Sequence, residues 1–214
     1  MGLNVFGTPI TVDTVKEMPE YHESKMIYSA DCATVALEMK NAEGKDISAR
    51  SFLEYMEPRF GLGVSTMCMI YNATGHPLTL VDTHSWEGRI CETPYPMVIL
   101  NGQWGAFLHG QYHNGAASEA CVVYNGLNFD WVLSFTNSNS NTNTKTNRVY
   151  TNIRTPQHNG VDWDAIKSNL DNGKTTHTGV TAGVRMFASI GDISKCTVEA
   201  ILTISDALDN VDIQ

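Results

Sequence analysis

The chain has 214 residues, of which 42% are hydrophobic, and it carries 14 basic and 23 acidic side chains for a formal net charge of −9. This length and apolar fraction suit one globular core, and no run approaches the roughly 18 apolar residues that a membrane-spanning helix needs. The negative charge, without any cluster of Lys or Arg, disfavours nucleic acid and anionic lipid as partners and leaves neutral sugars and zwitterionic or glycosylated lipids open.

The first sixty residues predict a set of helices. Thr11–Met18 reads as a short helix, and Ala30–Lys40 repeats small and apolar residues at helical spacing. Ala49–Met56 follows the i, i+3, i+4, i+7 rule of an amphipathic helix, which we expect Pro58 and Gly61 to end. These faces must cover another element of the fold.

From Val64 onward the pattern changes to short β-strands. Runs of alternating or continuous apolar residues, separated by Asn-Gly and similar turns, occupy residues 66–71, 78–81, 103–109, 120–124, 129–135, 149–153, 183–190 and 197–204. In the third run Trp104 and Leu108 share one face, whereas Phe107 and His109 share the other. Closely spaced strands of this kind are typical of an antiparallel sandwich.

The predicted fold class is therefore α+β. A helical segment over residues 1–62 packs on an antiparallel β-sandwich over residues 63–214, with one inserted helix near residues 162–171, in a single domain. Ser134–Asn147 is rich in Asn, Ser and Thr and predicts a polar loop whose conformation the sequence leaves open.

The chain start and the cysteines indicate the compartment. The first residues lack the basic region and the apolar core of a signal peptide. The five cysteines are widely spaced and form no C-x-x-C pair that would indicate zinc or redox chemistry. We therefore expect a cytoplasmic protein with buried, reduced thiols and no cofactor.

Catalytic motifs are not recognisable in the sequence, which has no nucleophile elbow, Walker loop or dinucleotide fingerprint. His84, His109 and His113 allow a metal site to be considered, but no Glu accompanies them as in a zinc protease, and we predict no metal. Acid pairs such as Asp162 and Asp164 suit a helix start. We favour a protein without catalysis; a hydrolase acting on a glycan and a storage or structural protein without a ligand site are the alternatives.

Aromatic side chains near predicted turns are the candidate ligand contacts. Rigid amphipathic rings on loops serve both sugar stacking and membrane-interface contact, and neighbouring amides supply directional hydrogen bonds. A core role for the same rings is the alternative. The predicted ligand-binding residues are Trp86, Asn101, Trp104, His109 and Tyr112.

Several segments in one order carry a resemblance to a known family. They are Val5–Ile10, Tyr71–Gly75, Thr93–Pro96, Asn101–His109, Val122–Tyr124 and Asp130–Ser134. Together they resemble the plant 23 kDa jasmonate-induced protein family over most of the first 155 residues. This resemblance implies a stress- or defence-induced plant protein without an assigned enzymatic activity, and it supplies no catalytic residues.

The layout is also similar to aegerolysin- and actinoporin-like β-sandwiches, through a strand ending in Asn-x-Thr-Gly and a Trp-x-Gly turn at residues 86–88. That similarity implies binding to lipid head groups. We therefore expect a plant stress- or defence-induced protein that recognises carbohydrate or a glycosylated lipid through loop aromatics. Contact with a membrane would be peripheral, and the oligomeric state is left open.

Overall fold

The computed structural model describes residues 4–24, 26–61, 63–112, 116–138, 146–156, 160–192 and 195–204. Over these residues the helices are α1 Val12–Lys16, α2 Ser29–Glu38, α3 Lys45–Phe60 and α4 Trp163–Asp171, with single 3-10 turns at Pro19–Tyr21 and Ala42–Gly44. The strands are β1 Val5–Phe6, β2 Gly63–Ala73, β3 Leu78–Glu87, β4 Arg89–Cys91, β5 Val98–Ile99, β6 Trp104–Tyr112, β7 Ala117–Gly126, β8 Phe129–Ser138, β9 Arg148–Arg154, β10 Thr176–Thr181, β11 Val184–Ile190 and β12 Lys195–Ile204.

The strands form two facing sheets, so the predicted α+β sandwich is confirmed. Sheet A has the order β1-β6-β2-β12-β11-β10, with β4 also paired to β6, and sheet B has the order β5-β3-β7-β8-β9. One pair departs from the predicted antiparallel arrangement, because β2 and β12 run parallel, with Ser65 opposite Lys195 and Ala73 opposite Thr203. Parallel neighbouring strands need a long crossover. Here the segment that connects β2 to β12 contains every strand of sheet B.

The core between the sheets consists of the inward faces predicted from strand alternation. Phe107 of β6 lies near Phe135 of β8, and both are fully buried. Trp131 donates from its indole nitrogen to the Gly126 carbonyl at 3.0 Å, so burial of this ring leaves no indole N–H unpaired. The five cysteines are all free and buried, as expected from the sequence.

The first three helices cover the outer face of sheet A. Trp104 and Leu108 of β6 pack there in one cluster with Leu53 of α3. Of the two residues predicted to end α3, Gly61 is its C-cap, whereas Pro58 lies inside the helix, which continues to Phe60. Proline lacks the N–H of an intrahelical hydrogen bond and its ring crowds the carbonyl four residues earlier, but only two helical residues follow Pro58, so the disturbance is confined to the helix end. Sheet A is thus buried on both sides in this region.

Helix α4 covers part of the outer face of sheet B. Its Ile166 packs against Cys121, Val123 and Val132, and the Asp162 side chain caps the helix by accepting from the Ala165 amide at 3.0 Å. No helix among the described residues is both long and apolar enough to span a bilayer.

The Asn/Ser/Thr-rich segment is in part a strand. Ser134–Ser138 continue β8 and are buried, whereas residues 139–145 of the predicted loop lie outside the described residues. The Asn137 amide donates to the Ser65 carbonyl at 2.8 Å, and the Asn147 amide donates to the Gly191 carbonyl at 2.7 Å. Polar residues enter the interior here because their amides have hydrogen-bond partners.

Candidate functional site

Three chain segments meet at the end of the sandwich where β2 turns into β3. The Gly102 amide donates to the Asn72 carbonyl at 2.7 Å, and the Ile10 amide donates to the Asn101 carbonyl at 2.8 Å. The Gly75 amide donates to the Asn101 side-chain oxygen at 2.9 Å. This end therefore joins the N-terminal segment, the β2–β3 turn and the β5–β6 connection.

The same end concentrates exposed apolar side chains. Of the eleven large apolar side chains that are exposed in the described chain, five line depressions at this end. They form what we call the apolar rim: Val12, Val81, Met97, Val98 and Leu100. Exposed apolar surface that is clustered in this way marks interaction sites, unlike single scattered side chains.

The members of the apolar rim are linked by shared depressions. Val12 and Leu100 line one cleft, Leu100 and Met97 line a groove beside it, and Met97 and Val81 line a third depression. Among the described residues that line these three depressions, Asp82 is the only Asp, Glu, Lys or Arg, and His76 lines the first of them.

The first depression, which we call the rim cleft, has a volume of about 350 Å³. Its buried floor contains Ile10, Cys32 and Asn101, whereas Val12 and Leu100 are exposed at its edge. Burial raises the pKa of the Cys32 thiol, so this cysteine is not an activated nucleophile. The rim cleft is a shaped apolar depression in the rim.

Asn101, a predicted ligand contact, lines this cleft and ties its walls together. The side-chain amide donates to the carbonyls of Ile10 at 2.9 Å and Cys32 at 3.0 Å. Its oxygen accepts from the Gly75 amide at 2.9 Å. Because these bonds use both amide hydrogens, the structure gives Asn101 a positioning role in place of direct hydrogen bonding to a ligand.

A glycine permits the close approach of the β2–β3 turn to α2. Gly75 has φ +76°, and a Cβ atom there would lie 2.1 Å from the Ser29 carbonyl oxygen. We therefore expect Gly75→Ala to lower the free energy of unfolding by about 2–4 kcal/mol, measured by urea denaturation. Gly183→Ala is the control, because Gly183 has φ +78° but no atom within 4 Å of an added Cβ, so we expect a loss of about 1 kcal/mol. Equal losses would show that the contact with α2 is unimportant.

Trp104 and His109, two predicted ligand contacts on the strand predicted at residues 103–109, are both buried. Trp104 lies under the helices, is 1% exposed, and donates from its indole nitrogen to the Lys40 carbonyl at 3.1 Å. His109 is fully buried between the sheets, where burial lowers its pKa to about 4. Both faces of β6 are covered, so neither ring is available to a ligand.

Tyr112 and Trp86 remain half-exposed, but at separate places. Tyr112 ends β6 at the opposite end from the rim. Its ring centroid lies 4.2 Å from that of Phe60 and 4.8 Å from Cζ of Arg89. Trp86 belongs to β3, and its side chain lies on the outer face of sheet B. Its ring centroid is 5.0 Å from that of His84. The predicted site residues therefore do not converge on one site.

Trp86 belongs to a second candidate surface. His84 stacks on Trp163 of α4 with 4.9 Å between centroids and 17° between the rings. We call His84, Trp86 and Trp163 the aromatic cluster. Trp86 lies five residues along β3 from Val81, or roughly 15 Å at the rise of a strand.

Metal binding has no support in the geometry. Among the residues that the structure describes, no group of three His, Cys, Asp or Glu side chains is placed to hold an ion. His113, one of the three histidines considered from the sequence, lies outside the described residues.

Sequence reasoning missed the apolar rim, although a signal was present. Met97–Leu100 is a run of four apolar residues that contains the two-residue edge strand β5. Alternation along such a strand buries Ile99 and exposes its neighbours Val98 and Leu100. Val81 lies at a register shift in β3, where a bulge turns a side chain outward.

Comparisons with known proteins identify the family. The family model described as Nakanori-like protein matches residues 6–205. The 23 kDa jasmonate-induced protein of Hordeum vulgare is 39% identical over 202 residues, which cover 90% of this chain and 93% of that protein. Two solved structures are similar in fold. The lipid-binding protein Nakanori has a TM-score of 0.85 and 26% identity, covering 92% of this chain and 98% of its own.

The second structure, the Xerocomus chrysenteron lectin XCL, has a TM-score of 0.50 and 8% identity, covering 66% of this chain and 99% of its own. At that identity the similarity concerns the fold alone. The resemblance stated from the sequence is confirmed: the chain belongs to the family of the plant 23 kDa jasmonate-induced protein and, by its family model, to the Nakanori-like family.

Proposed function

We propose that this protein is a stress-induced binding protein that attaches peripherally to membranes bearing uncharged or zwitterionic glycosylated lipids. The observation that carries the proposal is the apolar rim, in which five exposed apolar side chains line depressions at one end. Apolar side chains insert into the boundary between head groups and acyl chains, and the stabilisation grows with the apolar area that is buried.

The charge distribution supports a neutral membrane. The net charge of −9 repels anionic lipids at long range. Among the described residues that line the depressions of the rim, Asp82 is the only Asp, Glu, Lys or Arg. Attraction to the membrane therefore relies on apolar burial, and we expect it to depend only weakly on salt. The lipid binding of Nakanori, a protein of similar fold, supports the same assignment.

We expect co-sedimentation with phosphatidylcholine vesicles containing glycosylated sphingolipid, less with plain phosphatidylcholine and least with phosphatidylserine vesicles. The combined variant Met97→Ser, Val98→Ser and Leu100→Ser should bind at least tenfold more weakly, because it removes three exposed apolar side chains. The matched control replaces exposed apolar residues elsewhere, Ile47→Ser and Phe187→Ser, and should bind as the wild type does.

The proposal fails if the rim variant, with an unchanged melting curve, sediments as well as the wild-type protein. A loss shared by the rim variant and the control would also contradict it, since the rim would then have no special role. Binding to phosphatidylserine above all other vesicles would contradict the charge argument.

A second candidate function is binding of a soluble glycan at the aromatic cluster. Half-exposed indole rings supply the stacking surface that sugar rings use. We expect Trp86→Ala to abolish glycan binding in calorimetric titration while the melting curve is unchanged, and Trp86→Phe to retain part of it. Loss of folding in Trp86→Ala would instead assign Trp86 to the packing against α4, where it contacts the cluster containing Ile166.

Residence in the cytoplasm and the lack of catalysis stay predictions. Cell fractionation with an antibody against the chain tests the first. Assays on generic glycan substrates across a range of pH test the second, because a glycosidase carboxyl pair would produce a pH-dependent rate.

A further inference from the structure

We infer that the rim cleft binds one aliphatic chain of a lipid, drawn out of the membrane surface against Ile10 and Leu100. This inference rests on the proposed membrane attachment and adds to it a defined ligand chemistry. Attachment by the rim alone would require no cavity.

The size and lining of the cleft suit an alkyl chain. Its volume of about 350 Å³ falls within the range of roughly 300–1,000 Å³ that small-molecule sites occupy. The described residues that line it include no Asp, Glu, Lys or Arg, and its polar side chains are Thr11, Ser29, His76 and Asn101. By contrast, a larger depression beside α2, about 630 Å³, is lined by Glu20, Asp31 and Glu38, whose carboxylates a hydrocarbon would desolvate at a cost.

Polar groups at the floor of the cleft are already used. The Asn101 amide donates to two carbonyls and its oxygen accepts from Gly75. At the edge, the Thr11 hydroxyl accepts from the Thr14 amide at 3.3 Å. A sugar requires several unpaired, convergent donors and acceptors, whereas a hydrocarbon requires none. The floor therefore favours the chain of a lipid over its head group.

The cleft is continuous with the surface that we propose to face the membrane. Val12 and Leu100 belong both to the apolar rim and to the lining of the cleft. A chain that leaves the hydrocarbon region at the rim reaches the floor residue Ile10 along apolar side chains. The lipid chain therefore does not pass through water, where exposure of its apolar surface would oppose its transfer to the cleft.

The test uses dodecyl maltoside below its critical micelle concentration as a soluble single-chain probe, with maltose as the chain-free control. We expect the ¹³C-labelled δ1 methyl signal of Ile10 to shift and saturate with dodecyl maltoside, and to remain unchanged with maltose. Leu100→Trp, which places a larger ring at the edge of the cleft, should weaken this binding at least tenfold. The matched control is Met97→Trp, because Met97 belongs to the rim but not to the cleft.

Vesicle co-sedimentation of the wild-type protein separates this inference from the proposed function. The wild-type protein is measured in both assays, because Leu100 and Met97 themselves belong to the rim. If the Ile10 methyl does not respond to dodecyl maltoside, or responds equally in Leu100→Trp, the cleft assignment is wrong even when vesicle binding persists. Saturable probe binding without vesicle binding would retain the cleft and overturn the membrane role. A response to maltose would reassign the cleft to sugar.

Discussion

Replacing Asn101 with alanine should lower the free energy of unfolding by about 3–5 kcal/mol. The change leaves the carbonyls of Ile10 and Cys32 and the amide of Gly75 without the partner that the Asn101 side chain supplies. A buried polar group that loses its partner costs about 1–3 kcal/mol. Because these groups belong to three distant segments, the N-terminal segment and α2 should loosen together from the sandwich.

Urea denaturation followed by tryptophan fluorescence measures this loss. Asn169→Ala is the matched control, since its amide donates to the Ala165 carbonyl on the exposed side of α4. We expect the control to change stability by about 0.5 kcal/mol at most. A comparably small effect in Asn101→Ala would show that water replaces the three hydrogen bonds, and that the cleft walls do not depend on this side chain.

Stability should fall as the pH is lowered from about 6.5 to about 4, with His109 as a principal cause. Burial lowers the pKa of His109 from 6.5 to about 4, so the folded state holds the ring neutral while the unfolded state takes up a proton. Above pH 6.5 both states are neutral and His109 adds no pH dependence. Between these two pH values, protonation of His109 in the unfolded state lowers the free energy of unfolding by about 3 kcal/mol.

The surroundings of His109 explain why it stays neutral. Nδ1 lies 2.9 Å from the Ser118 hydroxyl oxygen, and Nε2 lies 3.1 Å from that of Ser85. Ser118 also donates to the His109 carbonyl at 3.2 Å. These bonds are mutually consistent when Nδ1 carries the proton and Ser85 donates to Nε2, and a second proton would displace the Ser85 donor.

Denaturation from pH 4 to 8 in wild type and His109→Gln isolates this contribution. We expect a shallower loss of stability in the variant, because glutamine can hydrogen-bond to the serines but does not titrate. His22→Gln removes a solvent-exposed imidazole and should retain the wild-type slope. His177, whose pKa burial also lowers, is present in all three proteins. Parallel curves for wild type and His109→Gln would exclude His109 as the cause.

Local periodicity predicted most of the elements. Strand alternation placed Trp104 and Leu108 opposite Phe107 and His109, and the structure has these two faces. Helical spacing located α2 and α3, and the acidic start located α4. Strand β10 was missed because its residues alternate between exposed and half-buried positions at the edge of sheet A, so no apolar face marked it.

Fold class, family and the order of most elements could be predicted from the sequence, because side-chain periodicity and short motifs are local properties. Which faces are covered depends on contacts between distant segments. Alternation shows that β6 has two faces, but the helices over one of them place Trp104 in the core. The apolar rim likewise arises where the N-terminal segment, the β2–β3 turn and the β5 edge meet. Contacts between segments so distant in the chain depend on packing, which no local pattern encodes.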